Sequence, residues 1–492
     1  MEDSGRQEEL RELKERLFGG PDHYREHPWE WEQVETTIAE TVTNPCIHEY
    51  HELGGGRGKR FLKKVIRKLI RFYVVPMVEE QNKRNVEQAE AIKKLAHLIC
   101  ENQSSLQAEN RRLRRELQWT RSRLPEYSHT LQREKLRVIQ MLPALAFGDG
   151  IGNDTVALKG ALQEAGYETE IYADYIDDRL PAGTARPIEE YWEQPDDLVL
   201  YHLSTGSEWN YRFAELRCRK GVIYHNVTPP HFFAGTHPEP WKDCCQGVEA
   251  VAFLADKVDF GLADSDFNRQ DLIRAGYPQP LETLPILIAF EDFEKEPDPA
   301  VLKRYQGDGY TNLIFTGRVF PHKKQEDIIN AFYYYKKHYN PKSRLFLVGA
   351  HGGGGDAYFA RLQEYVRALE LEADVIFTGH TRFPEILAYY RLAHVFVSMT
   401  EHEGFCIPLV EAMYFGIPIV AYDCSAVGET LGGSGLLLSD KSPDQVAEAI
   451  HRLVSDPELR KRIVDGEKKR LQDFSHEKIK ARFLDFLERV IE

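Results

Sequence analysis

Twice along the chain, from about residue 136 to 295 and again from about 311 to 470, short apolar runs alternate with stretches of helical period. Few folds accept such a pattern. Buried parallel strands read as continuous apolar runs, and each needs a crossover, usually a helix, to reach its neighbour. The alternation therefore predicts two parallel-sheet α/β domains. In the first, strands are expected at Val138–Leu142, Val199–His202, Gly221–Tyr224 and Phe260–Ala263; in the second, at Leu313–Thr316, Leu345–Val348, Val375–Thr378, Val395–Ser398 and Ile419–Tyr422. The loop Gly148-Asp149-Gly150-Ile151-Gly152-Asn153-Asp154 opens a helix running toward Ala165, and the acidic, proline-containing stretch Asp292–Pro299 reads as the linker. A last helix, about His476–Ile491, carries Ile479, Phe483, Phe486, Leu487 and Val490 on one face and needs a surface to bury them. The expected division is 1–133, 134–295, 296–475 and 476–492.

Residues 1–133 are different, charge-rich and helical in pattern. Between Arg57 and Arg71 there are eight lysines and arginines and no acid. On a helix over 57–75, Phe61, Leu62, Val65, Ile66, Leu69 and Ile70 fill one half and nearly all the cations the other, a segregation suited to an anionic membrane surface or to packing on the protein itself. A long helix over 78–118 repeats Ile92, Ile99, Leu106 and Leu113 every seven residues. Its companion positions are mostly polar, so the coiled-coil signal for self-association is partial.

With 63 Lys+Arg against 78 Asp+Glu, the net charge of −15 argues against nucleic acid as a partner. The seven cysteines contain no CxxC pair and read as reduced thiols. No apolar run approaches the roughly 18 residues that span a bilayer, and the charged start lacks a secretory apolar core. The expected location is cytoplasmic, at the inner face of a membrane if residues 57–75 bind there.

In open parallel sheets ligands sit beyond the carboxyl ends of the strands. Two such places stand out. In LIFTGRVFPHKKQED, Gly317 lets the backbone turn, Arg318 offers a planar fork suited to phosphate oxygens, and Lys323 and Lys324 open the next helix. A solvated loop would read the same way were it not for the strand before it. In VFVSMTEHEGFCIPLVEAMYFG, seven residues separate Glu403 from Glu411. Pro408 and Gly416 bracket a short helix, which leaves the amides of Gly404, Phe405 and Cys406 to face the crevice. Cations and amides for a diphosphate, with carboxylates for hydroxyl groups, match a sugar nucleotide. Paired carboxylates also serve glycoside hydrolysis, but a hydrolase needs no phosphate cradle.

On these residues the chain from about 136 to 492 resembles the retaining glycosyltransferases of family 4, which have the GT-B fold. EGFCIPLVEA and GRVFPHK are the strongest markers, supported by FGDGIGND, YHNVTPP, ADSDFNRQDL and the closing FSHEKIKARFLDFL. The resemblance implies that Arg318 and Lys323 neutralise the donor diphosphate, that Glu411 holds the ribose and that Glu403 holds sugar hydroxyls. It further implies that Gly150 and Gly152 approach the phosphates, that His225 faces the reacting centre and that the last helix returns to the first domain. Cys406 departs from the family, which usually has Gly there. The implied reaction transfers a hexosyl group, with retention, from a UDP-, GDP- or dTDP-sugar to a glycan or lipid-linked acceptor, without a cofactor or metal. Asp264-Ser265-Asp266 mimics a metal-holding D-x-D element but reads as a helix cap, and Gly352–Gly355 lacks the Lys-Ser/Thr of a phosphate loop. An inactive nucleotide-sugar-binding scaffold and a GT-B phosphorylase are the alternatives.

Overall fold

The computed structural model describes residues 136–351 and 357–491. The basic segment 57–75, the heptad segment 78–118 and the glycine run 352–355 lie outside the described residues.

Two sheets are present, each with every pair of neighbours parallel. The first contains β1 (Arg137–Leu145), β2 (Glu168–Ile176), β3 (Arg186–Pro187), β4 (Leu198–Leu203), β5 (Arg219–Tyr224), β6 (Phe260–Ala263) and β7 (Leu281–Thr283) in the order 3-2-1-4-5-6-7. The second contains β8 (Thr311–Thr316), β9 (Ser343–Val348), β10 (Val375–Phe377), β11 (Val395–Ser398), β12 (Ile419–Tyr422) and β13 (Leu436–Leu438) in the order 10-9-8-11-12-13. The strand order reverses between β1 and β4 in one and between β8 and β11 in the other. Such a reversal leaves a crevice beyond the carboxyl ends of the two central strands.

Strands rich in continuous apolar residues are the ones visible in the sequence, because both of their faces are buried. In β8, Leu313 and Phe315 face one core cluster while Ile314 faces the other. The strands without a sequence expectation, β2, β3, β7 and β13, lie at or next to a sheet edge. There β2 alternates with Glu168, Thr169 and Glu170 and is only partly buried, and β3 is two residues long.

The last helix, His476–Ile491, buries Ile479, Phe483, Phe486, Leu487 and Val490 in one cluster with Val138, Leu198, Leu200, Ile223 and Phe260 of the first sheet. The chain changes cores upstream of the Asp292–Pro299 stretch. Leu284 and Leu287 pack under the first sheet, whereas Ile286 and Ile288 pack under the second. The stretch expected to be a plain linker instead holds a 3-10 turn, Phe290–Glu294, whose Phe293 is buried in the second core, and the cap of the Pro299–Tyr305 helix. Asp298 accepts hydrogen bonds there from the Ala300 and Val301 amides. Three buried aromatics, Phe293, Tyr305 and Phe346, explain why acidic composition did not leave this segment loose.

Candidate active site

The second sheet supplies most of the chemistry. Gly317 follows β8 at φ 148, and a Cβ on Gly349, just after β9, would lie 2.1 Å from the Gly317 carbonyl oxygen, so the two chains leave their strands closely enough to require glycine. Arg318 then leaves the sheet at the switch point with 60% of its side chain exposed, and its guanidinium reaches Asp149 of the first domain at 3.5 Å. Lys323 closes the 3-10 turn Pro321–Lys323, and its amine donates to Glu403 Oε1 at 2.6 Å. Glu403 is fixed in turn by its own backbone N–H, which donates to Ser425 Oγ at 2.8 Å. Each charge thus holds the other at the crevice.

Lys324 does not join this pair. It adopts a left-handed conformation, φ 52, and its amine points into a buried set of acids, 3.1 Å from Glu326 and 3.8 Å from Glu401. Burial pushes its pKa down, but Glu326, Asp327 and Glu401 together more than reverse that. Lys441 lies against Asp327 at 2.9 Å and also pairs with Glu401. The adjacent lysines therefore part: one faces the crevice and the other braces the wall behind it.

The second carboxylate of the motif, Glu411, lies in the Ile407–Phe415 helix, where it accepts a hydrogen bond of 2.5 Å from the Tyr390 hydroxyl, which also meets Thr316 Oγ1. Burial raises the Glu411 pKa, with Tyr390 opposing. Between the two carboxylates, the carbonyl of Gly404 accepts from Ser265 Oγ at 2.7 Å and that of Phe405 from Thr430 Oγ1 at 2.5 Å. In a trans peptide the following N–H points the opposite way, so the amides of Phe405 and Cys406 turn from those anchors. Among the described residues the N–H groups of Gly404, Phe405 and Cys406 meet no acceptor. Cys406 caps the helix at φ 71, the conformation in which glycine is at ease. Burial raises its thiol pKa well above the ordinary cysteine value, which makes it a packing group and not a thiolate.

The first sheet meets this rim closely. The β1 loop ends in the Gly150–Glu164 helix, capped by Asp149, so Gly150 and Gly152 occupy its first turn and not a free loop. A Cβ at Gly150 would lie 2.4 Å from Ile407 Cδ1. Two helix amino termini, one from each domain, thereby approach one another beside Arg318 and Lys323, an arrangement that favours an anion. His225 is placed otherwise than the resemblance implies. Its side chain is 1% exposed, Nδ1 lies 2.9 Å from Asp264 Oδ2, and Nε2 lies 2.8 Å from His202 Nδ1. Its backbone, not its ring, touches the crevice loop, since a Cβ on Gly404 would lie 2.9 Å from the His225 carbonyl oxygen.

The Asp264-Ser265-Asp266 element is a cap. Ser265 Oγ accepts from the Asn268 amide at 3.1 Å, Asp264 serves His225, and Asp266 pairs with Arg269. Sequence reasoning missed the residues that join the domains. Glu429 accepts from the Asp266 and Phe267 amides at 2.6 and 3.2 Å, and His402 lies 2.6 Å from Asn226 Oδ1. Nothing local marks Glu429; the HNV and EHEG motifs were the available hints for Asn226 and His402.

Residues 303–470 match the family model described as glycosyl transferases group 1. The structure is similar to that of the Anabaena protein HepE in complex with UDP and glucose, with a TM-score of 0.59 and 16% identity over 72% of this chain and 100% of that one. Sucrose-phosphate synthase from Thermosynechococcus elongatus gives a TM-score of 0.57 at 17% identity, over 72% of this chain and 99% of that one.

The fold is GT-B.

Among curated relatives, the O-antigen chain mannosyltransferase B of Escherichia coli is 24% identical over 209 residues, 42% of this chain and 54% of the relative. A D-inositol 3-phosphate glycosyltransferase of Streptomyces bingchenggensis is 26% identical over 261 residues, 51% of this chain and 56% of the relative. The chain thus spans about half the length of the curated relatives it matches. In the GT-B frame, the matched residues contain Arg318, Lys323, Glu403 and Glu411, all on the second sheet's side of the cleft. Among the described residues no helix is long and apolar enough to cross a membrane.

Proposed function

We propose that the protein transfers a hexosyl group from a nucleotide-diphosphate sugar to a hydroxyl of a glycan or lipid-linked glycan, with retention at the anomeric carbon, in the building of cell-surface polysaccharide. One observation carries the reading: at the β8/β11 switch point, Arg318, Lys323 and three backbone N–H groups that meet no acceptor among the described residues gather beside two carboxylates. The diphosphate sits against Arg318, Lys323 and the amides of Gly404, Phe405 and Cys406, framed by Gly317 and by the Gly150 and Gly152 turn. Glu411 takes ribose hydroxyls and Glu403 takes sugar hydroxyls. Glu403 holds Lys323 at the crevice, and the arriving diphosphate takes over part of that pairing, which frees Glu403 for the sugar hydroxyls. With no carboxylate assigned as a covalent nucleophile, the leaving phosphate itself takes the acceptor proton on the front face. The likeness to a UDP- and glucose-holding structure supports the donor class, and the named mannosyl- and inositol glycosyltransferases support a hydroxyl acceptor.

On this reading His225 acts through what it holds in place. Because Asp264 and Asp266 are occupied by His225 and Arg269, transfer proceeds in EDTA at an undiminished rate. The reaction runs on the cytoplasmic side, with residues 57–75 as an anionic-membrane contact and 78–118 as a self-association segment. The test is a screen of UDP-, GDP- and dTDP-sugars that follows nucleotide release, with NMR of the anomeric proton in the product. The expected result is one donor class consumed with retention. Binding of donors with neither transfer nor hydrolysis would favour a sensor, and phosphate-dependent release of sugar phosphate a phosphorylase; either would overturn the proposal.

A further inference from the structure

Below the first domain's side of the cleft lies a buried chain of polar groups that the proposed donor contacts leave out. Gln140 from β1, His202 from β4, His225 following β5 and Asp264 following β6 are linked in that order by contacts of 3.0, 2.8 and 2.9 Å. Asp154, from the Gly150–Glu164 helix, joins them, with its carboxylate within 4.8 Å of the ring nitrogens. All five residues are buried to 8% exposure or less.

Hydrogen accounting fixes the protons. The Gln140 amide nitrogen donates to the Thr155 carbonyl at 3.0 Å, so its oxygen faces His202 Nε2, which must carry a hydrogen. Burial pushes the Asp264 carboxyl up and His225 opposes that; as the ionised partner of the pair Asp264 only accepts, so His225 Nδ1 carries a hydrogen as well. Those two protons already complete two neutral imidazoles. Yet the inner nitrogens, His202 Nδ1 and His225 Nε2, stand 2.8 Å apart and need a third proton to avoid opposing their lone pairs. Thr155 does not supply it, since its hydroxyl donates to the Ile151 carbonyl at 2.8 Å.

Ring geometry identifies what sits between them. The planes differ by 4°, and the 5.1 Å centroid separation is what two imidazoles give when joined end to end through a 2.8 Å contact. The rings therefore lie in line, as a linear N–H···N bond requires. A metal ion on that line would need the nitrogens about 4 Å apart, at roughly 2.0–2.1 Å per bond.

We propose that His202 and His225 share one proton beyond the two of neutral imidazoles, forming a buried imidazolium pair that clamps the first domain's strand ends for docking against the second. The pair bonds directly to Asp264; Asp154 lies within 4.8 Å, its carboxyl pushed up to about 7 chiefly by burial, and Asp149 caps the helix that carries Asp154. Burial alone would push His225 down, but Asp264, Asp154 and Asp149 outweigh it and the net direction is up. His202 goes far down, by burial and by the charge of His225. The clamp adjoins the domain contact at two points. Asn226, next to His225, meets His402 at 2.6 Å, and Ser265, next to Asp264, donates to the Gly404 carbonyl. His202, His225 and Asp264 are thus positioning residues for the amide loop, and only this kinetic consequence rests on the proposed transferase reading.

Nitrogen-15 NMR of the full chain labelled at histidine tests the inference without any substrate, so a protein inactive in transfer would still give an answer. The expected spectrum at pH 7.5 shows both His225 nitrogens protonated and a slowly exchanging proton shared with His202, assigned with His202→Gln and His225→Gln. Asp264→Asn is expected to weaken the proton's binding about tenfold or more, moving the titration down by roughly one pH unit, and to raise donor KM more than it lowers kcat. A His225 with one bare nitrogen in the wild-type chain at pH 7.5 overturns the proposal. So does one equivalent of metal found by elemental analysis of the purified protein.

Discussion

The two rims of the cleft use similar residue types to opposite ends. On the second sheet, Arg318 and Lys323 reach into the crevice, Glu403 pairs with Lys323, and three amides meet no acceptor among the described residues. On the first, His202, His225 and Asp264 are sealed below the surface and bonded in a row, with buried Asp154 beside them accepting from the Leu287 amide. The difference is one of exposure within one Rossmann-like architecture. On the proposed reading, the rim that takes the donor keeps its charges poised and partly solvated, whereas the opposite rim spends its polar groups on fixing loop positions.

The sharpest way to break that division is to remove the poised cations. Lys323→Ala and Arg318→Ala are each expected to lower donor kcat/KM about 10²-fold or more, as for loss of one preorganised charge-stabilising group. Near wild-type kinetics in either variant would remove the binding role from this rim. Glu411→Ala is expected to raise donor KM about tenfold or more with a smaller change in kcat, the worth of a hydrogen bond to a charged acceptor. An unchanged KM would detach Glu411 from the ribose.

The docking side is tested by crowding it. In Gly404→Ala the new Cβ meets Asn226 Cβ at 2.6 Å and the His225 carbonyl at 2.9 Å, neither of which can yield cheaply. Thermal unfolding is expected to show a loss of about 1–3 kcal/mol, the usual cost of overpacking. Gly150→Ala, from the opposite side, meets only the tip of Ile407 and should lose less; equal losses would mean that the two contacts do not differ as described. The smallest effect belongs to Cys406→Gly. Relief of a left-handed residue, about 1–2 kcal/mol, is offset by glycine's entropy of about 0.5–1 kcal/mol and by lost packing of the thiol. Urea titration should therefore place the variant within about 1 kcal/mol of wild type.

Much of this molecule could be read along the chain. The strands at β6, β11 and β12 and the closing helix fall where apolar periodicity put them, because strands buried on both faces and a one-sided helix write their burial into local sequence. Arg318 and Glu403 are legible as residues that follow strands, and Cys406 as an oddity at a glycine position, which its φ of 71 explains. Strands at sheet margins were not legible, since half-exposed residues such as Glu168 and Glu170 blur the apolar pattern. The ring of His225 was legible only as a histidine after a strand; its enclosure depends on Asp264 and His202, which come from other strands.

Sequence alone determined that there are two strand-and-helix domains and which residues follow their central strands, because hydrophobic burial repeats with the period of the element. Tertiary structure decided which charged groups look outward. Lys323 and Lys324 are neighbours of one kind, yet one is aimed at Glu403 and the other at Glu326, and the amide loop is held by Ser265 from 139 residues away. A charge takes its orientation and proton affinity from whatever partners and solvent surround it, and here those partners arrive from distant parts of the chain.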